Sequence, residues 1–188
     1  LNQYQNLTGT CTQSSGCDPN DVDTQFNAGE ARIYGLETTL NSKFRLGWGT
    51  VADLRGAYTY TLAEFQTAFQ SGFAQWGDVS EGDRFPYVPE HQVSIGANVR
   101  KGTLDLDATW AFVGQMRDVA GQGSITDVEL IPAHRVLDLV LGYTPRQGSR
   151  LYLKGENVLN EQYITSKRPF GARPGKPQLF MVGFRQAI

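Results

Sequence analysis

The feature of this sequence that most constrains its fold is an alternation of apolar and polar residues that recurs in seven segments. Between Tyr34 and Phe44, every residue of one parity is uncharged, whereas the other parity carries Glu37 and Lys43. Successive side chains of a β-strand point to opposite faces, so each segment predicts a strand with one apolar and one charged face. The predicted strands span about residues 31–46, 51–63, 92–100, 104–112, 137–143, 151–156 and 180–185, and residues 1–7 fit the end of another strand.

The connections between these strands alternate between short turns and long loops. The short turns contain Gly47 with Gly49, Lys101 with Gly102, and the run from Pro145 to Gly148. The long loops cover about residues 8–30, 64–89, 114–133 and 159–177. Outer-membrane barrels have short turns on the periplasmic side and long loops on the outside. The pattern therefore predicts an all-β fold, an antiparallel up-and-down transmembrane β-barrel.

The placement of charges agrees with a lipid-facing surface. A Lys or Arg on the lipid face near the middle of the membrane costs about 2–4 kcal/mol. The charges that avoid the apolar parity are Glu37, Lys43, Asp53, Arg55, Asp105, Asp107, Asp138, Lys154 and Glu156. Arg32 and Arg135 break this rule, but both lie at the predicted outer ends of their strands, where a long side chain can snorkel to the interface. Alternation alone also allows a soluble β-sandwich or a lipocalin-like barrel with its apolar face inward.

Composition sets wider limits. The 188 residues suffice for one domain, and the formal net charge of −2 gives no reason to expect a nucleic-acid partner. The mean hydropathy is −0.36, and a barrel strand needs only about 9–11 residues with alternate apolar side chains. Cys11 and Cys17 lie in a polar stretch, which predicts a disulfide that closes an exposed loop in an oxidising compartment. A metal site there would need further ligands.

The C-terminal motifs carry a family resemblance. The run Glu156–Tyr163, followed by Arg173–Pro177 and an alternating aromatic strand, resembles the end of a TonB-dependent outer-membrane receptor. Three segments are similar to the ferric-citrate receptor branch of that family: Arg84–Gln92, Met116–Gly123 and Arg168–Gly175. The resemblance implies a barrel of about 22 strands around a plug. Residues 1–188 would then be the C-terminal segment of the barrel domain, in a Gram-negative outer membrane, with the plug outside this chain.

Two local predictions accompany these motifs. Asn157 and Asn160 have side chains that can hydrogen-bond nearby backbone where the sixth strand ends. Pro174 and Gly175 suit the two central positions of a type II turn, the second of which requires a positive φ.

The resemblance also implies a function, which is energy-coupled uptake of a ferric chelate without a cofactor and without enzymatic activity. The expected partners are ferric citrate or another ferric siderophore, the TonB energy-coupling protein through the N-terminal region, membrane lipid and lipopolysaccharide. A citrate-type chelate is anionic, and arginine presents planar donor forks that suit it. The candidate ligand residues are Arg84, Arg117, Arg168 and Arg173, of which Arg117 and Arg168 are favoured. Each of them can instead be a solvated loop charge or a contact to lipopolysaccharide phosphate.

Two further interpretations remain open at this level. A small self-contained barrel of eight strands would act structurally or as a passive pore. An outer-membrane hydrolase would use His91 or His134, but the sequence contains no serine motif with a nucleophile elbow, which favours structural histidines.

Overall fold

The computed structural model describes residues 2–10, 25–71, 75–168 and 171–187. Cys11 and Cys17 lie outside the described residues, and so does the disulfide predicted between them. Across these ranges, no helix is long and apolar enough to cross a membrane.

The described residues form β-strands joined by turns and loops, which confirms the predicted all-β antiparallel architecture. The strands are β1 (Asn2–Thr10), β2 (Gln25–Gly47), β3 (Thr50–Phe65), β4 (Phe69–Gln70), β5 (Asp78–Val79), β6 (His91–Lys101), β7 (Leu104–Val113), β8 (Met116–Arg117), β9 (Leu130–Ile131), β10 (His134–Arg146), β11 (Ser149–Glu156), β12 (Ile164–Ser166), β13 (Arg173–Pro174) and β14 (Leu179–Gln186). Eight of them build one sheet in the order β1-β2-β3-β6-β7-β10-β11-β14, so β1 and β14 are its edges. The six short strands form three two-stranded hairpins within the long loops.

The observed strands include every predicted one, and several are longer than the alternation indicated. The first long loop was predicted over residues 8–30, but residues 8–10 belong to β1 and residues 25–30 belong to β2. Thr8 pairs with Asn27, and Thr10 pairs with Gln25. The hydrogen bonds between paired strands require only backbone donors and acceptors. The pairing therefore continues into residues that no longer alternate between apolar and polar side chains.

The three predicted short turns are present, and their backbone explains the glycines. Trp48 and Gly49 connect β2 to β3 with φ values of 49° and 73°. Gly102 has a φ of 58° between β6 and β7, and Gly148 has a φ of 86° between β10 and β11. Tight hairpins favour such positive φ values because they match the twist of the strands.

The two faces of the sheet differ as the alternation predicted. Large apolar side chains of one parity are exposed, among them Leu36 at 58% and Phe184 at 62%. Charged side chains of the other parity pair across strands. The Lys43 Nζ lies 3.5 Å from Asp53, and an Arg100 Nη lies 3.0 Å from the same carboxylate. We call these two surfaces the apolar face and the charged face.

The buried apolar side chains of the described residues lie towards the end of the sheet that carries the long loops. They are Ala31, Leu62, Ala63, Phe65, Val79, Met116 and Ile131. This core therefore holds the loops on the sheet, and it does not fill a dry centre between two sheet layers.

Candidate functional site

The long-loop end of the sheet is the candidate functional site, because three loops fold there into a connected structure. The loop of residues 66–90 joins β3 to β6, and the loop of residues 114–133 joins β7 to β10. Backbone hydrogen bonds connect these two loops: Arg84 N–H donates to the Gly121 carbonyl and Tyr87 N–H donates to the Arg117 carbonyl, both at 2.9 Å. The third loop, residues 157–178, joins β11 to β14.

An aromatic cluster fixes the first loop to the sheet. Phe65, at the end of β3, is fully buried. Its ring stacks on Phe85 with centroids 4.1 Å apart, and the rings of Phe69 and Trp76 pack against it edge to face at 5.3 and 5.6 Å. Aromatic pairs in these geometries add favourable energy beyond their buried area. The loop is therefore a packed platform beneath its more exposed residues.

A cavity of about 620 Å³ opens between the ends of β3, β6 and β7 and the first two loops. A volume of this order suits a small-molecule ligand. Its charged lining comes from Arg84, Glu90 and Arg117. The wall thus contains two of the four arginines that the sequence nominated.

Both of these arginines already bind acceptors of the protein. Arg84 forms ion pairs with Glu64 at 3.3 Å and Glu90 at 3.1 Å. Arg117 is only 7% exposed, and its Nη2 donates to the Gly123 carbonyl at 2.7 Å. Their positive charge is therefore largely committed to neighbouring groups of the loops.

The other two nominated arginines lie outside the cavity wall, in the third loop. Arg168 donates from Nε to Asp118 Oδ2 at 2.8 Å, and its backbone N–H donates to the Tyr87 hydroxyl at 3.2 Å. Arg173 is exposed in β13, where its carbonyl accepts a hydrogen bond from Thr165. The structure thus divides the four arginines between the cavity, a junction of three loops, and an exposed hairpin.

Tyr87 and Asp118 were not nominated from the sequence, although each lies in a segment that carried the family resemblance. The Tyr87 hydroxyl donates to Asp118 Oδ1. Burial, followed by this bond to the Asp118 carboxylate, raises the pKa of Tyr87 to about 12. The ion-pair partner of Asp118 is Arg168, fifty positions further along the chain, and no sequence spacing indicates that pairing.

The third loop begins at Asn157, which behaves as predicted. Its side chain is fully buried, donates to the carbonyls of Glu161 and Lys176 at 2.9 and 3.0 Å, and accepts the Glu161 N–H at 2.9 Å. Asn160 takes part through its backbone N–H, which donates to the Asn157 carbonyl at 2.8 Å. Both residues have positive φ values, 46° and 52°, which asparagine tolerates better than most residues. Asn157 therefore joins the two ends of the loop.

The predicted type II turn at Pro174 and Gly175 is wrong. Gly175 is not among the residues with positive φ, which that turn requires. Pro174 instead pairs with Ile164 in the β12–β13 hairpin. Gly175 lies against Tyr163, whose ring would overlap a Cβ at this position. Glycine is needed here for close packing and not for a left-handed backbone.

The two histidines occupy separate aromatic clusters. The His91 Nδ1 lies 2.9 Å from the Tyr58 hydroxyl, and its ring centroid is 5.2 Å from that of Tyr60. His134 stacks on Tyr163 with centroids 4.1 Å apart. Within the part of the chain that the structure describes, no group of three or more His, Cys, Asp or Glu side chains is placed to hold a metal ion. These contacts support the structural interpretation of both histidines.

A family comparison identifies the architecture around this site. The model of the family described as TonB dependent receptor-like, beta-barrel matches residues 1–158. The chain belongs to this family. The resemblance to TonB-dependent receptors is thereby confirmed at the level of the family. No curated protein matches the chain.

Solved structures of receptors and transporters share the fold. The ferric-catecholate import receptor Fiu of Escherichia coli K12 is 20% identical with a TM-score of 0.64, over 92% of this chain and 23% of Fiu. The pyoverdine outer membrane receptor FpvA of Pseudomonas aeruginosa PAO1 is 16% identical with a TM-score of 0.62, over 97% of this chain and 25% of FpvA. The ferric citrate transporter FecA, unliganded, is 19% identical with a TM-score of 0.65, over 98% of this chain and 28% of FecA.

These likenesses concern the fold, and they cover only part of the solved structures. This TonB-dependent receptor chain spans about a quarter of the length of the structures it matches. The family is one of Gram-negative outer-membrane receptors and transporters and not of enzymes, so nothing favours the hydrolase interpretation. The three solved proteins are named for different ligands, which are a ferric catecholate, pyoverdine and ferric citrate. Their common fold does not separate a ferric-citrate branch from the others.

Proposed function

We propose that this chain is the C-terminal part of the barrel of a receptor for TonB-dependent uptake of a ferric chelate, either ferric citrate or another siderophore complex. The observation that carries the proposal is the junction of three long loops at one end of a barrel-family sheet, where Arg168 contacts both Tyr87 and Asp118. The similar proteins Fiu and FecA, which are named for a ferric catecholate and ferric citrate, support the same class of substrate.

The chemistry of the loops suits an anionic chelate. Arginine keeps its charge at all relevant pH values and presents several N–H donors in one plane, which matches the geometry of a carboxylate. Arg168 and Arg173 belong to the third loop, and both side chains reach solvent. Recognition by these donors, together with the cavity beside Arg84 and Arg117, would hold the chelate before transport.

The sheet itself suits the wall of a membrane barrel. The apolar face would contact lipid, and loop arginines would contact lipopolysaccharide where they do not bind the chelate. The charged face would line the water-filled interior next to a plug. TonB would act through that plug, which lies outside residues 1–188.

The passive-pore alternative has less support. Eight strands close into a barrel only when the first pairs with the last. In the described residues, β1 and β14 are the two opposite edges of the sheet. Both edges are therefore available to further strands of a larger barrel.

The test is an uptake assay with the full-length receptor in a Gram-negative strain that lacks its own ferric-chelate receptors. Cells receive radioactive iron as ferric citrate, as a ferric catecholate or as a ferric hydroxamate, with TonB present or deleted. We expect TonB-dependent accumulation with at least one chelate, and ferric citrate is the first expectation. Uptake that persists without TonB would favour a passive pore, and absence of uptake with all three chelates would contradict the proposal.

A further inference from the structure

Two neighbouring residues of the third loop contact the other loops: the Lys167 Nζ donates to the Val128 carbonyl at 2.6 Å, and Arg168 contacts both Tyr87 and Asp118. The Arg168 Nε donates to Asp118 Oδ2, and its backbone N–H donates to the Tyr87 hydroxyl. The same hydroxyl donates to the other oxygen of Asp118. Tyr87, Asp118 and Arg168 come from three different loops, so this triad fixes the third loop relative to the platform formed by the other two.

The two partners of Arg168 are themselves held firmly. Asp118 is only 3% exposed, and its backbone N–H donates to the Glu129 carbonyl at 2.9 Å. Tyr87 has a φ of 60° and donates its N–H to the Arg117 carbonyl at 2.9 Å. A buried carboxylate that accepts two directed donors has little freedom to rotate. Arg168 is therefore oriented by a rigid acceptor.

The contact with Asp118 uses only one side of the guanidinium. Its side chain is 39% exposed, and within the described residues its Nη groups have no hydrogen-bond partner. A guanidinium has five N–H donors, so the Nη groups retain four when Nε is engaged. Arg117 and Arg84 differ, because the first is buried and donates to a carbonyl and the second lies between two glutamates. Arg168 is thus an arginine that is both held in place and open on its outer edge.

We propose that Arg168 presents this outer edge to a carboxylate of the ferric chelate, and that Asp118 and Tyr87 are positioning residues that hold the guanidinium in the binding orientation. The inference rests on the proposed function and adds which arginine contacts the ligand and which residues act through it. Preorganisation of this kind improves affinity because less side-chain freedom is lost on binding.

The experiment is a double-mutant cycle on the purified full-length receptor, with ferric citrate as the probe and Kd as the readout. The variants are Tyr87→Phe, Asp118→Asn, Arg168→Ala and the two doubles that combine Arg168→Ala with each positioning variant. We expect Tyr87→Phe to weaken binding about 3- to 10-fold, the range for one lost hydrogen bond. Arg168→Ala should weaken it at least about 10-fold, since a charge-assisted pair is lost. Each double variant should bind like Arg168→Ala alone.

The control is Tyr163→Phe, because Tyr163 belongs to the same loop but its hydroxyl accepts from Lys176 N–H at 3.3 Å and takes no part in the triad. This variant should leave Kd unchanged. The inference is overturned if Tyr87→Phe weakens binding by the same factor with and without Arg168, since a merely structural role gives additive effects. It is also overturned if Arg168→Ala binds like the wild type. Wild-type receptor that binds none of ferric citrate, a ferric catecholate or a ferric hydroxamate would instead overturn the proposed function, and this inference with it.

Discussion

Arg150 of β11 reaches across the whole of β10 to bind Asp105 of β7. The intervening strand places Gly142 at the crossing, where a Cβ would overlap both side chains. Arg55 of β3 crosses β6 in the same way to reach Asp107 of β7 at 3.2 Å, and Gly96 lies beneath its guanidinium. Gly142 and Gly96 thus leave room on the middle strand for ion pairs between the two strands on either side of it.

We predict that Gly142→Ala destabilises the sheet. The new methyl group would overlap the ends of the Asp105 and Arg150 side chains, so these flexible ends must move apart and the ion pair is lost. Loss of a partly exposed ion pair costs about 0.2–1 kcal/mol. The measurement is the thermal unfolding of the full-length receptor in detergent. Gly56→Ala is the matched control, because the nearest atom to a Cβ there is Leu40 Cβ at 3.8 Å, an ordinary contact. Equal stability of the two variants would show that the Arg150–Asp105 crossing does not depend on Gly142.

Much of this framework was predictable from the sequence, and the reason is the side-chain period of two. Leu36 and Glu37 lie on opposite faces because neighbouring residues in a strand must do so. The turn at Gly102 was also predictable, since few residues accept its φ. The strand ends were less predictable, because the pairing of Thr10 with Gln25 depends on backbone bonds that leave no mark in the side chains.

The candidate site was predictable only in part. The sequence indicated four arginines from their charge and their position in loops. Their roles depend on burial, because Arg117 is buried whereas the side chain of Arg168 is partly exposed. The Tyr87–Asp118–Arg168 triad depends on contacts between three loops, which local patterns do not encode. Gly175 was misassigned for the same reason, because its role depends on the ring of Tyr163 packing against it.

Asn157→Ala should weaken the third loop strongly. The substitution removes three side-chain hydrogen bonds from a fully buried position and leaves the Glu161 N–H without its acceptor. An unsatisfied buried group costs about 1–3 kcal/mol. The measurement is hydrogen–deuterium exchange of peptides from residues 157–178, which we expect to become faster.

Asn160→Ala separates backbone strain from hydrogen bonding. Both asparagines have positive φ, but Asn160 is exposed and its side chain does not form the loop's buried bonds. We expect a smaller increase in exchange for this variant. Equal increases would mean that positive φ, and not the buried amide, accounts for the role of Asn157.

The Tyr87 phenol should ionise at a higher pH than an ordinary tyrosine. Its pKa is raised to about 12 by burial and by donation to Asp118. A pKa raised in the folded state stabilises the protein below the ordinary value near 10, and this contribution is lost as the pH rises through about 12. The difference in tyrosinate absorbance between wild type and Tyr87→Phe should therefore have its midpoint near the higher value. A midpoint near 10 would mean that neither the burial of Tyr87 nor its bond to Asp118 persists in solution.

Arg117→Gln should loosen the second loop even when no ligand is present. Arg117 is 7% exposed, and its Nη2 donates to the Gly123 carbonyl, so the shorter amide side chain leaves this acceptor without its donor. The cost is about 1–3 kcal/mol, and the measurement is hydrogen–deuterium exchange of residues 114–133. Arg173→Gln is the control, because that side chain is exposed and such substitutions change stability by only about 0.5 kcal/mol. Similar exchange in both variants would mean that the bond from Arg117 to Gly123 does not stabilise the second loop.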